Sequence, residues 1–349
     1  EKHQPFSHLI LTGKNGSGKS TILKKLDFQI IYAFKGGYSS KTASILTNYS
    51  FPIVPFFKIQ KLNIIYSYLL PYRNSKVNAV KTPTKQVEFE KQLEQNTSSS
   101  DFFIKNFKQF LVNKKVNQAF AQLKNNQEEI ANTNIFFQDI ENIFGKIFEE
   151  KDLKLVFVED AYEFFIELGD GRKLTFDILP DGFSAFLSIL MDLFVRLDLI
   201  RKTVGSHSYN PCGIVLIDEP ETHLHLSLQY QVLPILTKLF PNVQFIVATH
   251  SPAVISSIQN VTIFDLTSKE TLSDEAVGKS FSELMVSHFG LDNEFSSFTD
   301  DIFEKFNQIL RENKGNIAQR NEKIKQLLHE NERFISPTIR FELEAKLSE

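Results

Sequence analysis

Gly13-Lys14-Asn15-Gly16-Ser17-Gly18-Lys19-Ser20-Thr21 is the stretch that decides how this chain is read. It fits the spacing G-x-x-x-x-G-K-[ST]. Glycines let the backbone curl so that successive N–H groups converge on one point, a concavity suited to an anion. The apolar run Ser7–Thr12 before it predicts a strand, and residues from about Gly18 to Leu26 predict a helix. The positive end of that helix faces the same point. In this frame Lys19 reaches the β- and γ-phosphates of a nucleotide and Ser20 ligates Mg²⁺. A glycine-rich turn with a fortuitous lysine is the competing reading of the loop taken alone.

Two further stretches carry chemistry. Ile214-Val215-Leu216-Ile217-Asp218-Glu219 is an apolar strand that ends in two carboxylates. Asp218 is placed to hold Mg²⁺ through water, and Glu219 to polarise an attacking water as general base. Val247-Ala248-Thr249-His250-Ser251-Pro252 closes a second buried strand, with His250 lying 31 residues beyond Glu219. A histidine at a strand tip that faces a nucleotide can donate to the γ-phosphate and so tell ATP from ADP. Between them, Pro220-Glu221-Thr222-His223-Leu224-His225 carries two histidines one residue apart. No cysteine or second ligand cluster accompanies them, so this segment reads as a turn that shapes an interface, not as a metal site.

Bulk composition sets the frame for these motifs. With 349 residues, 42% of them hydrophobic, the chain can bury a large core. Its 39 basic and 42 acidic side chains leave a net charge of −3, which argues against coating by nucleic acid through bulk charge. The single Cys212 excludes a disulfide framework and a multi-cysteine zinc site, so a reducing, cytoplasmic setting is expected. No apolar run is long enough to span a membrane and no secretion signal stands out, so no membrane partner is expected. The chain starts at Glu1, not Met, and is therefore expected to be trimmed or renumbered at its start.

Strand-like runs also occupy Lys61–Leu70, Leu153–Val158, Tyr162–Glu167, Lys173–Ile178 and Val261–Leu266, and Gly36–Ser40 reads as a loop. Gly169-Asp170-Gly171 marks a hairpin turn. From Phe183 a helix presents Phe186, Leu187, Leu190, Leu193, Phe194 and Leu197 on one face, and Leu226–Phe240 reads as another helix despite Pro234. Lys85–Glu150 is polar and interrupted by Asn96–Ser100, which predicts a helical insertion after a link, or simply more of the core. Its lysines 105, 108, 114, 115 and 124 read as a solvated helix face. Further helices are expected at Ser280–His288, Asp301–Arg311, Asn316–His329 and Thr338–Leu347, as a docking surface.

The order of phosphate loop, acidic strand and histidine-bearing strand resembles the ABC ATPase family. The segments Asp218–His225 and Ala248–Pro252 are similar to its soluble branch, which holds the SMC, RecF and OLD proteins. Leu179-Pro180-Asp181-Gly182-Phe183-Ser184 looks like that of small prokaryotic ATPases of anti-phage defence systems, among them those of Septu and of certain retrons. The implied fold class is α/β: an ABC-type P-loop ATPase head, with core parts at 1–84 and 151–270, a helical insertion at 85–150 and a helical C-terminal extension at 271–349. The resemblance implies that Gly13, Asn15, Gly16, Ser17, Gly18, Lys19, Ser20 and Thr21 bind ATP, that Ser20 and Asp218 hold Mg²⁺, and that Glu219 and His250 are catalytic. It also implies a head-to-tail dimer in which Asp181, Gly182, Phe183 and Ser184 cap the ATP of the partner protomer.

Pro180 stands where the family commonly has Ser, so capping would rest on backbone N–H groups and hydrolysis would be slow. The γ-phosphate-sensing glutamine has no obvious counterpart, although Tyr72-Arg73-Asn74 lies near its expected place. The implied role is control of a separate effector, a nuclease, since no nuclease domain is legible in this chain. A RecF- or SMC-like repair ATPase, with DNA as direct partner, is the alternative. A transporter motor and a non-hydrolysing sensor fit less well. Loss of the loop cation is the simplest test: Lys19→Ala should weaken ATP binding by about 1.5–3 kcal/mol, the worth of one charged contact. Titration with a fluorescent ATP analogue checks this, and unchanged affinity would count against the loop.

Overall fold

The computed structural model describes residues 6–34, 63–73, 76–85, 88–89, 91–92, 100–179, 181–272, 297–313, 316–332, 335 and 337–345. The chain divides into two compact units, Glu1–Phe281 and Ser282–Glu349. The first is built on β1 (His8–Thr12), β2 (Ile65–Leu69), β6 (Gly213–Asp218), β7 (Val243–Ala248), β8 (Val261–Asp265) and β9 (Glu270–Leu272). Their order across the sheet is β2-β6-β7-β1-β8-β9, with only the β8–β9 pair antiparallel. Strand β9 has no counterpart among the sequence-predicted strands.

Helix α1 (Lys19–Phe34) covers one face of the sheet and extends well beyond the expected Leu26. Its Leu23 and Ile30 pack with Leu11, Tyr66, Leu216, Ile246 and Ala248. Alternation along each strand sends Ile10, Val215, Ile217, Phe245 and Val247 to the other face, where they are equally buried. Burial on both faces explains why these strands read as continuous apolar runs.

Helices α2 (Ser100–Lys105), α3 (Phe107–Leu123) and α4 (Gln127–Ile147) fill the stretch expected to be helical. They precede a small antiparallel sheet of β3 (Lys154–Val158), β4 (Glu163–Glu167) and β5 (Lys173–Leu174). Strand β5 stops well short of Ile178. A 3₁₀ turn at Phe176–Ile178 replaces it and drives Phe176 into the core, edge-on to Phe107 and Phe144 at 5.8 and 6.4 Å.

Helix α5 (Asp181–Val204) packs against α2, α3 and β2. The sequence predicts one apolar face, but every residue from Ser184 to Leu197 is buried. The would-be polar side survives burial by pairing. Arg196 Nε donates to both Asp192 carboxylate oxygens, at 3.0 and 2.9 Å, and its guanidinium lies 4.1 Å over the Phe103 ring. Three of the insertion lysines are likewise not solvated. Lys108 is bound to Glu163 at 2.9 Å, Lys114 to Asp198 at 2.7 Å, and Lys115 sits 4.1 Å over Phe137.

Helix α6 (Leu226–Leu239) carries Pro234 inside it, and the four-residue helix α7 (Pro252–Ile255) follows β7. The second unit holds α8 (Ser297–Glu312), α9 (Ile317–Glu330) and α10 (Pro337–Ala345) around Ile302, Phe306, Ile324, Leu327 and Leu343. The expected loop at Gly36–Ser40 and helix at Ser280–His288 lie outside the described residues. Among the described residues no helix is long and apolar enough to cross a membrane.

His8 ties β1 to β7 at the far end of the sheet. It is 2% exposed, and its Nδ1 accepts from the Phe245 N–H at 3.1 Å. Burial lowers its pKa from 6.5 to about 4. Protonation would also remove the acceptor that Phe245 uses. The unfolded chain binds a proton near pH 6.5 and the folded chain only near 4, so the unfolded state holds more protons in between. This part of the stability is full above pH 6.5 and is lost as pH falls towards 4. Urea midpoints measured across that window should fall more steeply for the parental protein than for His8→Gln, and equal slopes would refute the assignment.

Candidate functional site

The parallel register sets three strand tips along one edge of the sheet. Ala248 is opposite both Leu11 of β1 and Asp218 of β6. Beyond the strands the pairing continues, with Thr249 N–H donating to Leu11 O at 3.0 Å and Glu219 N–H to Ala248 O at 2.8 Å. The loop after β1, the Asp218–Glu219 pair and His250 therefore share one edge, the carboxyl end where open α/β sheets take ligands. The tip adjoining the loop is that of β7. Asp218 lies one strand further from the loop, with β7 between β6 and β1.

Gly13 begins the loop at φ +130°, and a Cβ there would meet Thr267 Oγ1 at 2.9 Å, Asp265 Oδ1 at 3.0 Å and Ser17 Oγ at 3.1 Å. Thr267 Oγ1 also accepts from Lys14 N–H at 2.9 Å. The turn after β8 thus braces the loop from behind, a role that no local motif announces. Lys19 is buried, and its Nζ donates to the carbonyls of Gly13 at 2.8 Å and Lys14 at 3.2 Å. The ammonium closes the loop on itself and stands ready to exchange carbonyl oxygens for phosphate oxygens. Asn15 and Gly16 are exposed, Thr21 is exposed on the first turn of α1, and Ser20 beside it is half-buried.

Asp218 is 1% exposed, and its Oδ1 has no hydrogen-bond partner. A buried carboxylate oxygen without a donor is costly unless a cation meets it. Asp218 and Ser20 therefore suit Mg²⁺, which takes few protein ligands and completes its shell with water and phosphate oxygens. No group of three or more His, Cys, Asp or Glu placed to hold a metal ion occurs among the described residues, and His223 and His225 are exposed.

Glu219 has a left-handed backbone, φ +48°. Its carbonyl accepts from Thr222 N–H at 3.2 Å, Thr222 Oγ1 at 2.8 Å and Arg73 Nη2 at 2.9 Å. Arg73 Nη1 donates to Asp218 O at 2.9 Å and Leu70 O at 2.6 Å. Burial lowers the Arg73 pKa to about 10, opposed by the charges of Glu221, Asp218 and Glu219. On the Tyr72-Arg73 turn, Tyr72 is in solvent and Arg73 is turned onto the acidic strand tip. Asn74 lies outside the described residues.

His250 is half exposed, with Nδ1 3.8 Å from Glu219 Oε1 and 3.6 Å from Glu221 Oε1. Sequence reasoning gives Glu221 no role beyond its turn. It is 6% exposed, and its Oε1 accepts from Thr249 Oγ1 at 2.6 Å and His250 N–H at 3.2 Å. Burial raises its pKa, against the lowering effect of these bonds. It clamps the histidine-bearing turn to the acidic turn.

Asp181–Ser184 forms the start of α5, and Gly182 lies against the turn that follows Glu219. A Cβ on Gly182 would run into the His223 carbonyl oxygen, so only glycine permits the helix to begin there. Phe183 stacks on Phe148 with centroids 4.6 Å apart, and Ser184 is buried.

The family described as "AAA domain, putative AbiEii toxin, Type IV TA system" matches residues 9–256. The "Retron Ec83 probable ATPase" of Escherichia coli is 43% identical over 89 residues, 25% of this chain and 16% of that protein. The "Retron Vc95 probable ATPase" of Vibrio cholerae serotype O1 biovar El Tor is 34% identical over 26% of this chain and 17% of its own length. The "Septu protein PtuA" of Bacillus thuringiensis is 27% identical over 28% and 25%, respectively. The matched segments thus span a quarter or less of these relatives. A solved SMC head bound to the C-winged helix domain of ScpA shares 15% identity over 74% of this chain and 86% of that one. Its TM-score of 0.36 is too low for any argument to rest on it.

Removing the Glu221 carboxylate would leave the Thr249 hydroxyl and the His250 N–H without their acceptor. Each such loss costs about 1–3 kcal/mol. Glu221→Ala should therefore lower the urea midpoint markedly while Glu221→Gln, which keeps an acceptor, lowers it less. Equal midpoints for both variants and the parent would contradict the clamp.

Proposed function

We propose that this chain, which belongs to the AAA_21 family, hydrolyses ATP to ADP and phosphate as a subunit of a prokaryotic anti-phage defence complex. The observation that carries the reading is the meeting of Lys19, Asp218, Glu219 and His250 along one carboxyl edge of a parallel sheet. Loop N–H groups and Lys19 bind the β- and γ-phosphates. Ser20 and Asp218 would hold Mg²⁺, which would screen the phosphate charge. Glu219 orients a water in line with the γ-phosphorus and takes its proton. His250 donates to a γ-phosphate oxygen and is steadied by Glu221.

In a head-to-tail dimer, the N–H groups of Asp181–Ser184 would cap the partner's ATP. Similarity to retron ATPases and to Septu PtuA supports the defence role, in which this dimer holds or restrains a separate effector, a nuclease. Engagement of Lys108, Lys114 and Lys115 inside the protein weighs against direct DNA binding through the insertion.

Glu219→Gln tests the reading. Loss of a general base should cut phosphate release roughly 10²–10⁴-fold, with ATP binding kept and an ATP-bound dimer accumulating in sedimentation. Turnover at the parental rate would remove Glu219 from the mechanism. Pull-down of the same variant from its host with ATP should recover a nuclease, whereas DNA with replication proteins alone would favour the RecF-like alternative.

A further inference from the structure

Arg73 touches both acidic residues of the site through their main chain, and it does so from a different strand. Strand β2 pairs with β6 through Leu69 and Ile217, so residues 70–73 run past the sheet edge and turn back over the tip of β6. On that turn Leu70 is half exposed and Tyr72 is 93% exposed, whereas Arg73 points inward. Its two terminal nitrogens span the successive carbonyls of Asp218 and Glu219, both at 2.9 Å, and its Nε is enclosed. Glu219 holds φ +48°, a conformation that is unfavourable for a residue with a side chain. Such a turn persists only where its surroundings over-determine it, and the donors on the Glu219 carbonyl come from Thr222 and Arg73. Thr222 belongs to the turn itself. Arg73 is the tie that reaches it from another strand.

We propose that Arg73 is a positioning residue for the Glu219 carboxylate, fixing the direction from which the base meets water without touching the nucleotide loop. This rests on the reading of Glu219 as the base. A cation suits the task better than a neutral donor, because Asp218, Glu219 and Glu221 gather three carboxyls around the turn. If Arg73 aims the base, its loss changes kcat and spares ATP binding, since the loop is held by Lys19, Thr267 and Asp265 instead.

The test is a comparison of Arg73→Gln and Arg73→Lys with the parent in steady-state phosphate release, in affinity for a fluorescent ATP analogue and in thermal unfolding. Misplacement of a reacting group by about 1 Å costs about 10²-fold, and a fall in kcat of that order is expected for Arg73→Gln at unchanged ATP affinity. Arg73→Lys keeps the charge and a donor and should recover part of the rate. Parental kcat in Arg73→Gln overturns the proposal. So does a parallel loss of ATP affinity and melting temperature in both variants, which would make Arg73 a support of the fold alone. Should Arg73→Gln fail to fold, the kcat and affinity of Arg73→Lys decide between the same outcomes. Parental protein without turnover would overturn the reading of the whole site, and is thereby distinct from failure at Arg73.

Discussion

Parallel registration of β1, β7 and β6 is the constraint on which the site depends. Ala248 faces Leu11 on one side and Asp218 on the other, so the three chains leave the sheet at the same level. The phosphate loop, the acidic pair and His250 are far apart in sequence. They become neighbours because hydrogen bonding between strands fixes their heights, and a one-residue slip would turn alternate side chains to the wrong face. Apolar packing enforces the register from both faces. Leu216, Ile246 and Leu11 meet α1, while Val215, Ile217 and Phe245 are buried opposite.

Charge inside the protein is handled by close pairing. Arg196 with Asp192 is an enclosed pair, and Lys108 is buried against a partly exposed Glu163; leaving one member of such a pair unpartnered is strongly destabilising. The site follows a different rule. Asp218 keeps a buried oxygen without a donor, and Lys19 directs its donors to the carbonyls of its own loop. One group offers an acceptor with no donor on it and the other spends a full positive charge on neutral carbonyls. In the proposed reading a nucleotide phosphate with its cation would satisfy both at once.

Much of this is legible in the sequence because the informative residues sit at strand tips. The glycine loop, Asp218, Glu219 and His250 each follow an apolar run of strand length, and the local pattern is enough to find them. The parts that are not legible depend on distant partners. Nothing around Arg73 indicates that its guanidinium ends on carbonyls 145 and 146 residues away. Glu221 looks like a turn residue until Thr249 and His250 are folded against it. The helical period of α5 is right, yet period alone does not reveal that its second face is also buried, since that depends on α2 and α3 packing over it. The lysines of α3 mislead for the same reason, because their partners Glu163 and Asp198 lie on β4 and α5.

The contact between Gly182 and the His223 carbonyl joins α5 to the edge that carries the candidate site. The turn that follows Glu219 runs through Thr222 and His223, so the start of α5 rests directly on the segment that carries Glu219. Close-packed backbone leaves no slack at that point. A displacement of the α5 N-terminus must then move the His223 backbone or break the packing. Helix α5 is in turn packed against α2 and α3. The insertion helices, the candidate capping segment and the acidic turn thus form one packed series, with the close approach at Gly182 as its last link.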